Sequence, residues 1–236
     1  MSTPPNPYRG FHFPAEIIGE AVWLYHCFSL SLREVELILA ARGIEVSYET
    51  IREWGLRFGR AFANTLKRRR PKPGDKWLLD EVFIRIRGKQ HDLWRAADQN
   101  GVVLDILVQS RRNTKAAKRF FRKLLKGLRY APRVVVTDKL KSSAAAKKEL
   151  NLGGEHRQSR HLNNTCDVSH QPTRRRERHM KKFESARHAQ RFLSTHSPIH
   201  SRFQPRRHRL SVTEYRAARA RAFTMWREAV GLAPAA

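Results

Sequence analysis

The spacing of apolar residues changes after the first third of the chain, which predicts a helical first part and a second part with strands. In the first part, apolar residues recur at helical intervals in three stretches that begin near Pro14, Ser31 and Ser47. Ser31 and Glu34 form the pattern of a capping box, and Gly43 suits a left-handed exit from the second helix. Three short helices with a glycine in the connection before the third are typical of a helix-turn-helix.

The third helix of this part is the one that we expect to contact DNA bases. Its apolar stripe extends from Ile51 to Phe62, and Ser47, Tyr48 and Arg52 lie near its exposed N-terminal end. The alternative is a small helical bundle used for oligomerisation or packing. That alternative stays open because this part of the chain is nearly neutral, and phosphate attraction alone would not hold it on DNA.

The second part opens with a strand pattern whose two faces differ in character. One face holds four aliphatic residues and one carboxylate, namely Leu78, Asp80, Val82, Ile84 and Ile86. The opposite face holds Glu81 beside Phe83 and two arginines, and there we expect Glu81 to be a solvated strand residue. Asp80 is the exception on its face, because a lone carboxylate among buried aliphatic groups is costly unless it is neutral, paired or bound to a cation.

Strands and helices alternate through the rest of the second part. The pattern predicts two more strands, a helix, a short strand and two further helices, over residues 91–97, 102–108, 114–125, 133–138, 142–150 and 174–192. The continuous apolar run within 133–138 is typical of a buried parallel strand. A meander of three strands followed by this alternation predicts an α/β fold with a mixed sheet.

Asp138 ends the short apolar strand at its carboxyl end, which is the edge of an open α/β sheet where ligands bind. An aspartate in this position is often merely a turn or helix cap. If its strand lies parallel to that of Asp80, however, both carboxylates can hold one Mg²⁺. Two such ions, about 3.5–4 Å apart, can clamp the attacking and leaving oxygens of a phosphodiester displacement.

A site with two metal ions needs a further acid from later in the chain. The residues leave four candidates open: Glu155, Asp167, Glu177 and Glu184. Glu177 stands among arginines, where local salt pairing on a helix face is the simpler explanation. Asp167 precedes the long basic helix, a location that suits an acid.

The net charge of the chain predicts a polyanionic partner. The 236 residues carry 48 Lys and Arg against 21 Asp and Glu, a net charge of +27. Residues 1–60 hold six basic residues and seven glutamates, so the excess lies almost entirely after them. A chain this basic favours nucleic acid as its partner. Because no run approaches the ~18 apolar residues of a membrane span and the N-terminus lacks a secretion-signal pattern, we expect a cytoplasmic, nucleoid-associated protein without membrane contact.

Three strings of the second part carry a specific resemblance. WLLDEVFIRIRGKQHDLWRAADQNG (77–101), RVVVTDKL (133–140) and LNNTCDVSHQPTRRRERHMKKFES (162–185) resemble the IS-six family of bacterial insertion-sequence transposases. The resemblance implies a DDE recombinase with an RNase H-like core, in which three acids bind two Mg²⁺ ions, with Mn²⁺ as a substitute. Asp80 matches the first family aspartate and Asp138 the second. The third family acid is a glutamate after an Asn-Asn pair, and this chain has Asp167 there.

The jump in charge coincides with residues 67–74, whose prolines and glycine indicate a basic linker that is either a solvated tether or a DNA contact. With the resemblance, this boundary predicts a helix-turn-helix domain at 1–66, the linker at 67–74, an RNase H-like DDE catalytic domain at 75–210 and a C-terminal helix at 211–236. Phosphates would be held by Lys139 and by a basic cluster that comprises Arg174, Arg175, Arg176, Arg178, Lys181 and Lys182. The alternative for the cluster is a solvated helix face, but few acidic residues lie nearby in the sequence. Asp92 and Ser143 stand where the resemblance leads us to expect aromatic residues.

The implied activity is metal-dependent cleavage and transfer of DNA strands at the ends of an insertion sequence. The partners are the terminal inverted repeats and a target duplex, and the pairing of two ends implies a homodimer or larger assembly. The shorter side chain of Asp167 leaves a second possibility, an impaired or inactive descendant that acts solely by binding DNA.

Overall fold

The computed structural model describes residues 6–70, 72–137, 145–146, 148–149, 153–158, 173–178, 183–205 and 210–232. The chain divides into two compact units. The first comprises Met1–Arg69 and Pro198–Ala236, and the second comprises Arg70–Ser197.

From residue 76 to residue 137, the labelled elements follow one another in the predicted order, whereas the strand Glu155–Gln158 was not predicted and the helix predicted over 142–150 lies largely outside the described residues. The labelled elements are α1 (Ala15–Cys27), α2 (Leu32–Ala40), α3 (Tyr48–Arg57), α4 (Gly59–Arg68), β1 (Lys76–Ile86), β2 (Lys89–Asp98), β3 (Val103–Gln109), α5 (Thr114–Leu128), β4 (Val134–Thr137), β5 (Glu155–Gln158), α6 (Ala186–Phe203) and α7 (Val212–Val230). Residues 173–178 are also helical. Within the described ranges, no helix combines the length and the apolar character that crossing a membrane requires.

The first unit is a set of helices around an aromatic core. Its buried cluster includes Trp54, Phe58, Phe62 and Trp226, so α7 packs on the same core as the N-terminal helices. The expected capping box begins α2, where the backbone N–H of Glu34 donates to Ser31 Oγ at 3.2 Å and the Glu34 carboxylate accepts from the Ser31 N–H.

The third helix ends earlier than its apolar stripe suggests. Helix α3 stops at Arg57, and α4 begins at Gly59 after a break at Phe58. Phe62 is buried but belongs to α4. Glycine is a poor helix former, so Gly55 and Gly59 on either side of the break weaken a continuous helix there.

The second unit contains a five-stranded sheet in the order β3-β2-β1-β4-β5. The pairs β1–β2 and β2–β3 are antiparallel, whereas β1–β4 and β4–β5 are parallel. A three-stranded antiparallel meander extended by two parallel strands is the arrangement of an RNase H-like core. The predicted α/β fold with a mixed sheet is therefore confirmed.

Both faces of the sheet are covered around the first half of β1. On one face, Trp77 and Leu79 pack with Trp94 against Phe120 and Phe121 of α5. On the other face, Leu78 clusters with Ala97 and Val136. Further along β1, the expected alternation holds, since Val82, Ile84 and Ile86 are buried while Phe83 is 53% exposed.

The basic helix predicted over 174–192 is interrupted. Residues 173–178 are helical, Phe183 forms a parallel bridge with Ile86, and α6 starts at Ala186. The side chain of Ser185 accepts a hydrogen bond from the His188 N–H at 3.0 Å, and this contact caps the new helix. Helical periodicity alone did not reveal this second start.

Candidate active site

Asp80 lies in the middle of β1 on the face that it shares with Leu78 and Val82, and the residue is 8% exposed. The strand beside it on one side is β2, where Arg95 is its direct register partner. On the other side is β4, whose last described pair with β1 is Leu79 with Thr137. The carboxylate therefore lies at the level where β4 ends, as the sequence pattern predicts for a ligand-binding edge.

Arg95 is a buried basic residue that the sequence analysis missed. It is 4% exposed, and its Nη1 donates to Thr173 Oγ1 at 3.2 Å. Because directly opposed residues on antiparallel strands have Cβ atoms about 4.5–5.5 Å apart, Arg95 brings a positive charge next to Asp80. In the sequence, Arg95 stands out merely as a basic residue that interrupts the apolar run of β2, and its pairing with Asp80 follows from strand register.

The other two predicted ligands, Asp138 and Asp167, lie outside the described residues, as do Lys139, Lys181 and Lys182. Within the part of the chain that the structure describes, no group of three His, Cys, Asp or Glu could hold a metal ion. Asp80 itself fits such an ion. Its buried carboxylate supplies the hard oxygen donors that Mg²⁺ prefers.

Three of the four candidates for the third acid lie far from Asp80 along the sheet. Glu155 starts β5, where it is paired with Val134 at the amino end of β4 and bonded to Arg157 at 2.6 Å. Glu177 Oε1 accepts from the backbone N–H of Arg85 at 2.8 Å, five residues and about 16 Å beyond Asp80 along β1. Glu184 follows Phe183, whose backbone forms a bridge with Ile86, the residue after Arg85 in β1.

Glu81 is not the solvated residue that we expected. Its side chain is 3% exposed, and its Oε2 accepts a hydrogen bond from Arg112 Nη2 at 3.2 Å. The alternation placed Glu81 on the correct face of β1, opposite Asp80. That face, however, is covered at its register partner Trp94, which is 0% exposed, so the carboxylate is buried with an arginine partner.

Asp92 lies on the same face as Glu81, opposite Phe83 in register. It is 5% exposed, and its buried Oδ1 has no hydrogen-bond partner among the residues that the structure describes. Burial raises the pKa of the Asp92 carboxyl above its ordinary value, and the positive charges of Arg112 and His91 lower it in part. The position therefore suits an uncharged side chain better than a carboxylate.

The proposed DNA-reading residues lie together at the N-terminal end of α3. Ser47 is the N-cap, and its Oγ accepts from the Thr50 N–H at 3.3 Å. The Tyr48 ring lies 5.0 Å from the guanidinium carbon of Arg33. Arg52 is exposed, and its Nε donates a hydrogen bond to Glu49 Oε2 at 2.8 Å. This bond raises the pKa of Arg52 above its ordinary value.

Four members of the basic cluster lie in the helical residues 173–178, and they do not share one environment. Arg174, Arg175 and Arg178 are exposed. Arg176 is 1% exposed, and its guanidinium carbon lies 5.2 Å from the centre of the Phe192 ring. Arg176 therefore lies on the inner side of this helix, and its charge faces the Phe192 ring. The sequence had led us to expect its charge in solvent, where it would contact phosphates.

Comparisons with known proteins agree on one kind of protein. A family model described as a DDE domain matches residues 74–205. The transposase for insertion sequence element IS257 in transposon Tn4003, from Staphylococcus aureus, is 32% identical over 170 residues, which cover 70% of this chain and 75% of that protein. The transposase for insertion sequence-like element IS431mec, from S. aureus strain Mu50, has the same identity and coverage.

Among solved structures, the HTLV-2 integrase catalytic core domain in complex with magnesium (trimeric form) is similar to this chain with a TM-score of 0.41. The two sequences are 11% identical, and the match covers 60% of this chain and 92% of that one.

Proposed function

The chain belongs to the IS-six family of DDE transposases, and we propose that it binds the ends of an insertion sequence and transfers them to target DNA through a site formed by Asp80, Asp138 and Asp167. The observation that carries this site is the register of β1 with β4. The two parallel strands are paired up to Leu79 and Thr137, and the next residues in the chain are Asp80 and Asp138.

The alternation of side chains along β1 and β4 also supports the pairing of Asp80 with Asp138. Leu78 and Val136 are register partners and share one buried cluster, on the face to which Asp80 also belongs. Side chains two residues apart along a strand lie on the same face, and Asp138 is two residues after Val136. Continuation of β4 by one residue would bring the two carboxylates together on one face of neighbouring strands.

Support for Asp167 as the third acid comes from the alternatives and from the family pattern. Glu155, Glu177 and Glu184 lie at other levels of the sheet than Asp80. Thr173, six residues after Asp167, is bonded to Arg95, the register partner of Asp80, so the chain after Asp167 returns to this site. Aspartate keeps the charge of the family glutamate on an arm that is one methylene shorter.

The chemistry assigns distinct tasks to these residues. When bound, divalent ions neutralise the negative charge that develops at the phosphodiester during displacement. Asp80, Asp138 and Asp167 serve as oxygen ligands and not as proton shuttles. Arg95 adds a positive charge to the face of the sheet that holds Asp80, and its hydrogen bond links β2 to Thr173. We further propose that two Mg²⁺ ions are bound and that Mn²⁺ can replace them.

DNA is held by separate groups of residues in this proposal. Ser47, Tyr48 and Arg52 at the start of α3 would read the terminal repeats as a helix-turn-helix does. The exposed Arg174, Arg175 and Arg178 would contact phosphates near the active site. Bringing two ends together requires at least a homodimer, and binding to chromosomal DNA would place the protein on the nucleoid.

A joining reaction tests the proposed function. The purified full-length chain is incubated with Mg²⁺, a plasmid and oligonucleotide duplexes taken from the DNA that flanks its coding sequence. We expect the duplexes to be joined to the plasmid, with joining abolished in Asp80→Asn and retained in Asp75→Asn, since the Asp75 side chain is 53% exposed and pairs with Arg133. Undiminished joining by Asp80→Asn would show that the site is wrong.

The third acid has its own test in the same assay. Asp167→Asn should abolish joining, whereas Asp167→Glu, which restores the longer arm, should retain or increase it. A metal ligand tolerates displacements of well under about 1 Å, so the length of this arm sets the rate. Full activity of Asp167→Asn would remove Asp167 from the site and leave its assignment to another residue.

A further inference from the structure

Helix α5 carries a straight line of basic side chains that the proposed function does not use. Lys115, Arg119, Arg122 and Lys126 follow one another at intervals of four, three and four residues and are all exposed. At 1.5 Å per residue, they extend over about 16 Å along one side of the helix. We call these four residues the α5 stripe.

The opposite side of α5 holds the stripe in a fixed position. Ala117, Phe120 and Phe121 are at most 1% exposed and pack in the core of the second unit. The helix is capped at its start by Asn113, whose Oδ1 accepts from the Ala116 N–H at 2.9 Å. The four stripe residues are therefore carried by a packed helix rather than by a loop.

Carboxylates neutralise the flanks of α5 but not the stripe. Lys118 forms an ion pair with Glu149, and Lys123 Nζ lies 2.9 Å from Asp105 Oδ1. Helix α5 itself contains no acidic residue. Across the described ranges, no carboxylate is paired with any of the four stripe residues. The charge of the stripe is thus available to a partner.

The stripe is unfavourable for the helix by itself. Like charges three and four residues apart repel each other on a helix surface. Lys115 lies in the first turn, where no acidic residue offsets it and where the helix dipole disfavours a positive charge. An anionic partner along this side of the helix would remove both penalties.

We propose that the α5 stripe binds the phosphate backbone of duplex DNA, and that this duplex is the target of the transfer reaction; the second statement rests on the proposed function. Neighbouring stripe residues are about 4.5–6 Å apart, a spacing that suits the closely repeated phosphates of a DNA strand. The stripe contains Lys and Arg alone. Contacts of these residues with phosphates carry no sequence information, which suits a duplex bound without regard to its sequence rather than a terminal repeat.

The test compares two variants of the full-length chain with equal net charge. The stripe variant combines Lys115→Gln, Arg119→Gln, Arg122→Gln and Lys126→Gln, which keep good helix formers. The control combines Lys72→Gln, Lys89→Gln, Arg133→Gln and Arg157→Gln, all at exposed positions away from the stripe. Affinity for an unrelated duplex of about three helical turns is measured by fluorescence anisotropy over a series of salt concentrations.

The expected result is a change in the salt dependence of binding. Loss of four phosphate contacts should lower the slope of log affinity against log salt by about 3–4 in the stripe variant and by less than about 1 in the control. Equal slopes for the two variants would overturn the proposal. A greater loss on duplex RNA than on duplex DNA would also overturn it, because the partner would then be RNA.

The assignment to target DNA is tested separately. With flanking-end duplexes alone, the stripe variant should bind and cleave as the wild type does, whereas joining to a limiting amount of plasmid should fall by about tenfold or more. Equal loss of end cleavage would overturn the assignment to the target. If the wild type itself cleaves no end, the proposed function fails, while the salt slopes still decide whether the stripe binds DNA.

A second variant is available if the fourfold change disturbs folding. Should the stripe variant not give the wild-type circular dichroism spectrum, Arg119→Gln with Arg122→Gln is used, with half the change in slope expected.

Discussion

Asp92 offers the sharpest test of the polar groups buried in the sheet. It lies opposite Phe83 in register and has 5% of its surface exposed, and within the described part of the chain its Oδ1 has no hydrogen-bond partner. Burial raises its pKa, and Arg112 and His91 offset this in part. Asp92→Asn removes the charge with almost no change in shape, so it isolates the cost of burying a carboxylate at this position.

The sign of the effect follows from the direction of the pKa shift. A carboxyl whose folded-state pKa is raised stabilises the fold below its unfolded pKa, and this contribution is lost as the pH rises through the folded value. At neutral pH, Asp92 therefore destabilises the wild type. A buried polar atom without a partner costs about 1–3 kcal/mol, and Asn recovers the lower part of that range because its amide stays buried. One kcal/mol corresponds to about 2–4 °C in melting temperature for a protein of this size.

The assay is thermal unfolding of the wild type, Asp92→Asn and the control Asp75→Asn between pH 4.5 and 7.5. We expect Asp92→Asn to melt higher than the wild type at pH 7.5 and the difference to shrink toward pH 4.5. Asp75→Asn should lower the melting temperature slightly at every pH, since a surface pair such as Asp75 with Arg133 contributes about 0–1 kcal/mol. A difference that is zero at pH 7.5, or that grows toward acid pH, would refute the reasoning.

Three further changes test packing and capping, each by urea unfolding. Ser31→Ala should cost about 1 kcal/mol, because α2 loses its N-cap. Gly19→Ala should raise the free energy of unfolding by about 1 kcal/mol in the Val230→Ala background. In the wild type it should not, because the new Cβ would lie 2.8 Å from Val230 Cγ2. Equal effects in both backgrounds would contradict this packing. Arg112→Met should cost about 1–3 kcal/mol by leaving the buried Glu81 without its arginine, and Glu81→Gln in addition should recover part of that loss.

Local sequence signals were enough to predict most of the labelled elements and the burial of one candidate residue. Alternation along β1 identified Asp80 as a carboxylate on an aliphatic face, and the structure buries it together with Val82 and Ile84. The capping-box pattern at Ser31 and Glu34 fixed the start of α2. These features depend on neighbours within one element, which periodicity and spacing record directly.

Features that depend on a second element could not be predicted in the same way. Glu81 has the pattern of a solvated residue, and its burial results from the covering of its face at Trp94 and from the arrival of Arg112 after β3. Arg176 is turned toward Phe192, which belongs to a separate helix that the sequence pattern had merged with residues 174–178. Arg95 joins Asp80 through strand register, which depends on how β1 and β2 pair.

The central claim is that Asp80, Asp138 and Asp167 together bind the divalent ions of the reaction. The most direct measurement is the binding of Mn²⁺ to the full-length chain with an end duplex, followed by electron paramagnetic resonance. We predict that Asp80→Asn, Asp138→Asn and Asp167→Asn each weaken Mn²⁺ binding by more than about tenfold, while Asp92→Asn leaves it unchanged. Wild-type Mn²⁺ affinity in any of the three would contradict the claim.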